Sequence, residues 1–575
     1  MTGAVRRLAR VGAVAILMVS ACGGGPGTTS TGGAGGNGAP AGRGGGGGAG
    51  GTGGAAATGG VTGAAGAAGS AGISGTGGGA GATAGRGGSG GGAAGTAGAG
   101  GTGGAGGTGG AGGTAGGGGT AGAAGGGGAG SGGAQGAGGR GGGGASGGTG
   151  TGGGGNGGSP APTWDWVGVL GTGQSLAVGG HGNAPAMTIG ATTQRFRNLK
   201  LSLGSATVPP FDANNTALSV VPLVETIRAI TTTYPSPYPR NIYGESFHTA
   251  MADELTTLVM AAQNRDYVTV HSVVGEAGQN ISVIAKGATD TGTTGRAYAA
   301  SLFEVAAIAR LAKAQNKTYG VGAIMLTHGE SDADSTTFEA DMVKLWNDYN
   351  TDLRTRTGQT YVIPMLLSQQ HSEPTGAGST SAGTLAQWRI GLDHPGDVIL
   401  TGPKYQYAYV NDQIHLTNPD YERLGEKYGQ VFHQRVVLGN AWQPLQPTSV
   451  DRSGRVITVH FHVPVLPLAW DTTLPMPHQS AFAEWAPGRG FEVRAGTTRV
   501  AIASVAISGD TVQITCATDP PTSGLVVAYA ATADGTIRPN GTVRWGQLRD
   551  SDPFVGSLTR VAQPNYSVAF EMNVP

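Results

Sequence analysis

Of the 575 residues, 115 are glycine, and most of these fall between Gly23 and Gly158. Basic and acidic side chains balance at 34 each, and no cluster of lysine or arginine stands after the glycine-rich stretch, which argues against nucleic acid as a partner. The only cysteines are Cys22 and Cys516, and no Cys/His spacing suggests zinc.

Arg6, Arg7 and Arg10 precede the apolar run VGAVAILMV (Val11 to Val19), which is far shorter than the ~20 residues that span a bilayer and reads as a secretory signal. The tetrapeptide VSAC that ends it resembles the lipobox of bacterial lipoproteins, so residues 1–22 are expected to be a lipoprotein signal peptide with Cys22 as the lipidated residue. Buried acyl chains contribute roughly 0.8 kcal/mol per methylene, enough in combination for a stable anchor. Residues 23–162, almost only Gly, Ala, Thr and Ser, cannot bury enough apolar surface to offset their ordering entropy and are expected to form a disordered tether. The expected location is the cell envelope, exported and held to the membrane by the lipid. Acylation of Cys22 would leave Cys516 without a disulfide partner.

From Trp164 the chain alternates between two patterns. Trp166–Leu170, Tyr267–Gly275, Tyr319–Gly329, Thr360–Gln369 and Asp397–Gly402 are short runs rich in Val and Ile that end in turn residues, as suits strands covered on both faces. Phe247, Met251, Leu255, Leu258 and Ala262, and likewise Phe338, Met342, Leu345, Tyr349 and Leu353, recur at helical spacing. The expected architecture over residues 163–446 is α/β, with a parallel sheet of about five strands and functional residues at the strands' carboxyl ends.

GVLGTGQSLAVGG (Gly168 to Gly180) sets Ser175 just past the first strand, with Gly171 and Gly173 permitting a tight turn. A serine there either caps a following helix or stands as a nucleophile. VVGEAGQNI after the second strand has Gly275 and Gly278, which let a backbone amide approach a reacting oxygen. LTHGESDAD after the third supplies His328, Glu330 and Asp332, and NDQIHLTNPD places Asp412 three residues before His415, ahead of a helix starting near Asn418. A serine needs a base for its proton, and the base needs an acceptor on its other nitrogen. Ser175, His415 and Asp412 can fill these roles.

These four segments resemble the blocks of the SGNH (GDSL-type) hydrolase superfamily, in particular its sialate O-acetylesterase-like branch, carbohydrate esterase family 6. GQSL, AGQNI, HGESD and DQIH match in order over about Trp164 to Gln443. The resemblance implies a flavodoxin-like sheet, Ser175 as nucleophile, His415 as base and Asp412 as its orienting acid, with the amides of Ser175 and Gly278 as the oxyanion hole. His328 stands where the branch usually has glutamine, and is expected to donate to the same oxyanion. Gln174, Glu330, Asp332 and Gln369 are expected to touch substrate or to hold the loops, and no metal or other cofactor is assigned. Gln370 and His371, beside Gln369, are further candidates to line a cleft. Glu245 and His248 mark a helix start at which Ser246 is read as the cap.

After about Pro447 short alternating strands take over, with Ile457, Val459, Phe461 and Val463 in one and Val512, Ile514 and Cys516 in another. Residues 447–575 are expected to form a small all-β sandwich of accessory role, in which Trp470, Trp485 and Trp545 either stack on sugar rings or fill the core. The resemblance implies a serine esterase that removes acetyl or other small acyl groups from carbohydrate hydroxyls. Two alternatives stay open: a carbohydrate-binding or surface protein with a degenerate hydrolase domain, and a lipid or thioester hydrolase built on the same machinery.

Overall fold

A strand of consecutive apolar residues has no face to offer water, so it must be covered on both sides. The structure, a computed structural model, describes residues 159–180, 187–202, 211–227, 244–288 and 296–575. The signal segment, Cys22 and nearly all of the glycine-rich stretch lie outside the described residues. Seven strands build one sheet: β1 (Trp166–Gly173), β2 (Leu199–Leu201), β3 (Val220–Pro222), β4 (Thr269–Gly275), β5 (Tyr319–Thr327), β6 (Met365–Gln369) and β7 (Val398–Pro403). Their order is β3-β2-β4-β1-β5-β6-β7, and every pair is parallel except β2 with β3. The five apolar runs thus lie in the order second, first, third, fourth, fifth, a flavodoxin-type winding whose switch point falls beside β1. The strands β2 and β3, at one end of the sheet, are additional to the five expected; at three residues each they are too short to show a period.

Helices cover both faces: α1 (Ile189–Thr192), α2 (His248–Gln263), α3 (Ile281–Ile284), α4 (Arg296–Ala314), α5 (Phe338–Thr357), α6 (Ala382–Asp393) and α7 (Asn418–Phe432). Alternate residues of β5 enter different cores. Ala323 and Met325 join Met251 and Leu255 of α2 and Tyr428 and Phe432 of α7, whereas Ile324 and Leu326 join Phe338, Met342 and Leu345 of α5. This two-faced burial is why the runs show no polar alternation.

The chain then forms β8 (Gln446–Ser453), β9 (Val456–His462), β10 (Ala469–Trp470), β11 (Phe491–Ala495), β12 (Thr498–Arg499), β13 (Ile502–Ser508), β14 (Thr511–Cys516), β15 (Leu525–Tyr529), β16 (Leu548–Arg549) and β17 (Phe570–Asn573). Two four-stranded sheets result, β13-β14-β9-β8 and β12-β11-β15-β17, antiparallel throughout, with β10 and β16 as a separate pair. Their inner faces meet where Phe461 of β9 packs edge-on against Phe491 of β11 and Phe570 of β17. The same apolar core runs on into the α/β part, where Trp388 of α6 lies 6.0 Å from Phe570 and donates its indole N–H to Gln446 at 3.2 Å.

Trp485 and Trp545 are buried, with their indole N–H groups donated to the carbonyls of Val493 and Pro475, and the half-buried Trp470 has the Arg489 guanidinium over its ring. Of the two fates the sequence left open for them, core packing is the one adopted by Trp485 and Trp545. The Ser246 hydroxyl accepts the N–H of His248, the first residue of α2, at a long 3.4 Å and donates to Glu225 at 2.6 Å, while the residue directly preceding α2, Phe247, makes no side-chain cap bond.

Candidate active site

Strand β1 delivers Ser175 to the carboxyl edge of the sheet. Gly173 has φ +142°, and a Cβ there would lie 2.0 Å from the Thr327 carbonyl oxygen, so only glycine lets β1 end this close to β5. The following residues coil tightly instead of starting a helix: the N–H of Val178 and that of Gly180 both donate to the Ser175 carbonyl, at 3.2 and 2.7 Å. Ser175 is 4% exposed.

The last loop brings His415. Asp412 Oδ1 accepts the backbone N–H of Ile414 at 2.9 Å and of His415 at 3.0 Å, Gln413 takes φ +63°, and Val410 N–H donates to the His415 carbonyl at 2.9 Å. This tight turn folds the imidazole back onto its own acid. His415 Nδ1–H donates to Asp412 Oδ2 at 2.6 Å, and the Ser175 hydroxyl donates to His415 Nε2 at 2.7 Å. Because an ionised carboxylate only accepts, Asp412 fixes the ring proton on Nδ1 and leaves the Nε2 lone pair for the serine. Burial works against ionisation of Asp412, but the hydrogen bonds from the His415 ring and from the two backbone amides outweigh it and lower its pKa. The structure therefore brings Ser175, His415 and Asp412 into one chain of hydrogen bonds.

The other candidates fall into place around them. Gly278 stands exposed in the turn after β4 at φ +67°, with open space beside its α-carbon. His328 is fully buried; its Nε2–H donates to the Gln279 carbonyl at 3.1 Å and its Nδ1 lies 3.4 Å from Asp332. Both ring nitrogens face protein oxygens, so His328 has no N–H for a substrate oxyanion. That corrects the expected donor role: the residue ties the turn after β4 to the loop after β5. Burial lowers its pKa against the pull of Asp332 and Glu330. Asp332 accepts the Ile281 N–H at 2.8 Å and the Asn280 side-chain amide at 3.2 Å, across the same two loops.

Glu330 is buried and accepts Lys404 Nζ at 2.6 Å, an ion pair that sequence reasoning missed. The signal was there, since a lone lysine directly after a buried strand has to find a carboxylate. Gln174, also buried, accepts the Ser331 N–H at 3.4 Å. Gln369, Gln370 and His371 are fully buried and do not line a cleft. Gln369 donates to the carbonyls of Thr384 and Ala569 and accepts the Ala569 N–H, so the antiparallel region covers it. Glu245 accepts both the N–H and the hydroxyl of Thr188, and burial pushes its carboxyl up to about 8, while His248 Nδ1 lies 3.0 Å from His271 Nδ1 in a buried pair. An open cleft of about 340 Å³ is lined by Asn280, Glu330, Ser331, Asp332, Asp334 and Glu373. Among the described residues no three His, Cys, Asp or Glu side chains converge to hold a metal ion.

Gly180 closes the turn after Ser175 against His415. Its carbonyl accepts the Tyr421 hydroxyl of α7 at 3.0 Å, and a Cβ on it would lie 2.7 Å from His415 Cδ2 and 2.8 Å from both His415 Nε2 and Ser175 Cβ. Gly180→Ala is expected to push the imidazole off the serine and, if the Ser175–His415 pair is catalytic, to reduce kcat about a hundredfold, the cost of roughly 1 Å of misplacement. Steady-state kinetics beside a thermal melt check this, with Tm expected to change little.

No family model matches the chain, and no curated relative matches it. Solved structures do. The chain is similar to a carbohydrate acetylesterase from Xanthomonas citri, at 14% identity and a TM-score of 0.45, over 71% of this chain and 80% of that one. It is also similar to NanS, at 10% identity and a TM-score of 0.29 over 48% and 98% of the two chains, and to a carbohydrate acetylesterase from Sinorhizobium meliloti, at 12% identity and a TM-score of 0.21 over 46% and 97%.

Proposed function

We propose that the chain is a surface-tethered serine esterase that removes acetyl or another small acyl group from carbohydrate hydroxyls. The observation that carries the reading is the unbroken chain Ser175 Oγ to His415 Nε2 at 2.7 Å and His415 Nδ1 to Asp412 at 2.6 Å. Attack of Ser175 Oγ on the ester carbonyl carbon passes the hydroxyl proton to His415 Nε2, and Asp412 stabilises the imidazolium. The carbonyl oxygen, now negative, is held by the backbone N–H groups of Ser175 and Gly278. Collapse breaks the bond to the sugar oxygen, which leaves with the proton from His415. Water, deprotonated by His415, then attacks the acyl-serine and releases the acid. Each N–H donor to the oxyanion contributes about 3 to 4 kcal/mol of barrier lowering.

We assign the sugar to the open cleft that holds Asp334 and Glu373, which adjoins Gln174, the residue before Ser175, through the Ser331 N–H, and whose carboxylate oxygens can accept sugar hydroxyl groups. The tether reading rests on the sequence alone: Cys22 carries the lipid, and the glycine-rich stretch holds the enzyme away from the envelope.

Acetate release from a panel of acetylated glycans, beside p-nitrophenyl acetate, tests the activity. Ser175→Ala is expected to lose about four orders of magnitude in kcat with the fold intact. Retained turnover would refute the assignment. Cell fractionation tests the anchor: the parent is expected in the membrane fraction and Cys22→Ser in the soluble one, and unchanged partitioning would count against lipidation.

A further inference from the structure

The antiparallel region grips the loop that carries the base. Arg538, 8% exposed, donates Nη2 to the carbonyls of Tyr405 and Tyr407 at 2.7 and 2.8 Å. The N–H of Tyr409 donates to the Asn540 carbonyl at 3.0 Å, and the Tyr405 hydroxyl donates to the Ser567 carbonyl at 2.8 Å. These contacts bear on the stretch between β7 and the turn holding Asp412 and His415. Beyond it the loop closes on itself, through Thr417 N–H to the Ala408 carbonyl at 3.0 Å and Val410 N–H to the His415 carbonyl at 2.9 Å. The chain makes room for this guanidinium: a Cβ on Gly541 would lie 2.4 to 2.6 Å from Arg538 Nε, Cζ and Nη2. Burial works against the Arg538 charge more than the nearby carboxylates of Asp420 and Asp471 favour it, so the desolvation is only partly recovered and the group is unfavourable for stability alone. Such a group is better accounted for by the geometry it imposes.

We propose that Arg538 is a positioning residue for catalysis, clamping the Tyr405 and Tyr407 carbonyls so that His415 Nε2 stays in reach of Ser175. Residues 447–575 then complete the catalytic centre instead of serving as an independent accessory module. The inference rests on the esterase reading and deepens it.

The test is a double-mutant cycle on full-length protein, with p-nitrophenyl acetate as the probe. Arg538→Ala is expected to lower kcat about a hundredfold with KM within threefold. In a His415→Ala background the same substitution is expected to change the residual rate less than twofold, because it acts through His415. A role confined to stability would move Tm and leave kcat unchanged below the melt, and that result would overturn the proposal. So would a loss that multiplies in both backgrounds, or one that falls on KM. If Arg538→Ala does not fold, Gly541→Ala displaces the guanidinium while keeping its charge, with a kcat loss of about tenfold expected and again no further loss without His415. A His415→Ala variant as fast as the parent would overturn the esterase reading itself, an outcome distinct from additive losses on top of a large His415 effect.

Discussion

The hydrogen bond from Ser175 to His415 joins residues 240 positions apart, and most of what surrounds it in the fold bears on its length. One end is set by β1, which stops against β5 at Gly173, and the other by the turn that Asp412 builds before α7. Between them Gly180 leaves room for the imidazole, and Tyr421 holds the turn after Ser175 onto α7 through the Gly180 carbonyl. A parallel sheet suits this task, because its first strand and the loop after its last reach the same edge while helices lock both faces. The proton path follows from hydrogen-bond chemistry alone, since an acceptor-only carboxylate on Nδ1 leaves only one way for the ring to be protonated when neutral.

Around that bond lies a second layer of buried polar contacts, whose effect is to select one arrangement of the loops. Lys404 and Glu330 are both buried, and removing either would strand the other's charge at a cost of about 3 to 5 kcal/mol. His328 and Asp332 join the turn after β4 to the loop after β5, and Gln369 joins the end of β6 to the backbone of Ala569. A hydrogen bond of this kind contributes only about 1 kcal/mol net, but a buried group left unpaired costs about 1 to 3 kcal/mol. Competing loop positions are therefore penalised more than the native one is favoured. The shared apolar core of Trp388 and Phe570 places the antiparallel sheets firmly enough for Gln369 and Arg538 to find their partners.

The five long strands and the helices α2 and α5 were legible because their apolar residues repeat within a window of a few positions. The Asp412–His415 turn was legible too, since its contacts span three residues. What escaped the sequence depends on distant chain. Gln369, Gln370 and His371 read as a polar loop at a strand end, and only the arrival of Ala569, 200 residues later, puts Gln369 in the interior. His328 was expected to donate to an oxyanion because it stands where the resembled branch has glutamine; its direction is decided by the Gln279 carbonyl, which no local pattern encodes. β2 and β3 show no period at three residues each. Arg538 lies in a stretch with no catalytic signature at all, and its bearing on the site appears only when Tyr405 and Tyr407 are seen beneath it.

The central claim is that Ser175 is a nucleophile made reactive by His415, and covalent trapping tests it most directly. Incubation with a p-nitrophenyl phosphonate ester, which leaves a stable phosphonyl group on an activated serine, should add one label per chain by intact mass. Peptide mapping should place that label on Ser175, and labelling should slow by at least a hundredfold in His415→Ala. A label on another residue, or equal labelling rates with and without His415, would contradict the account.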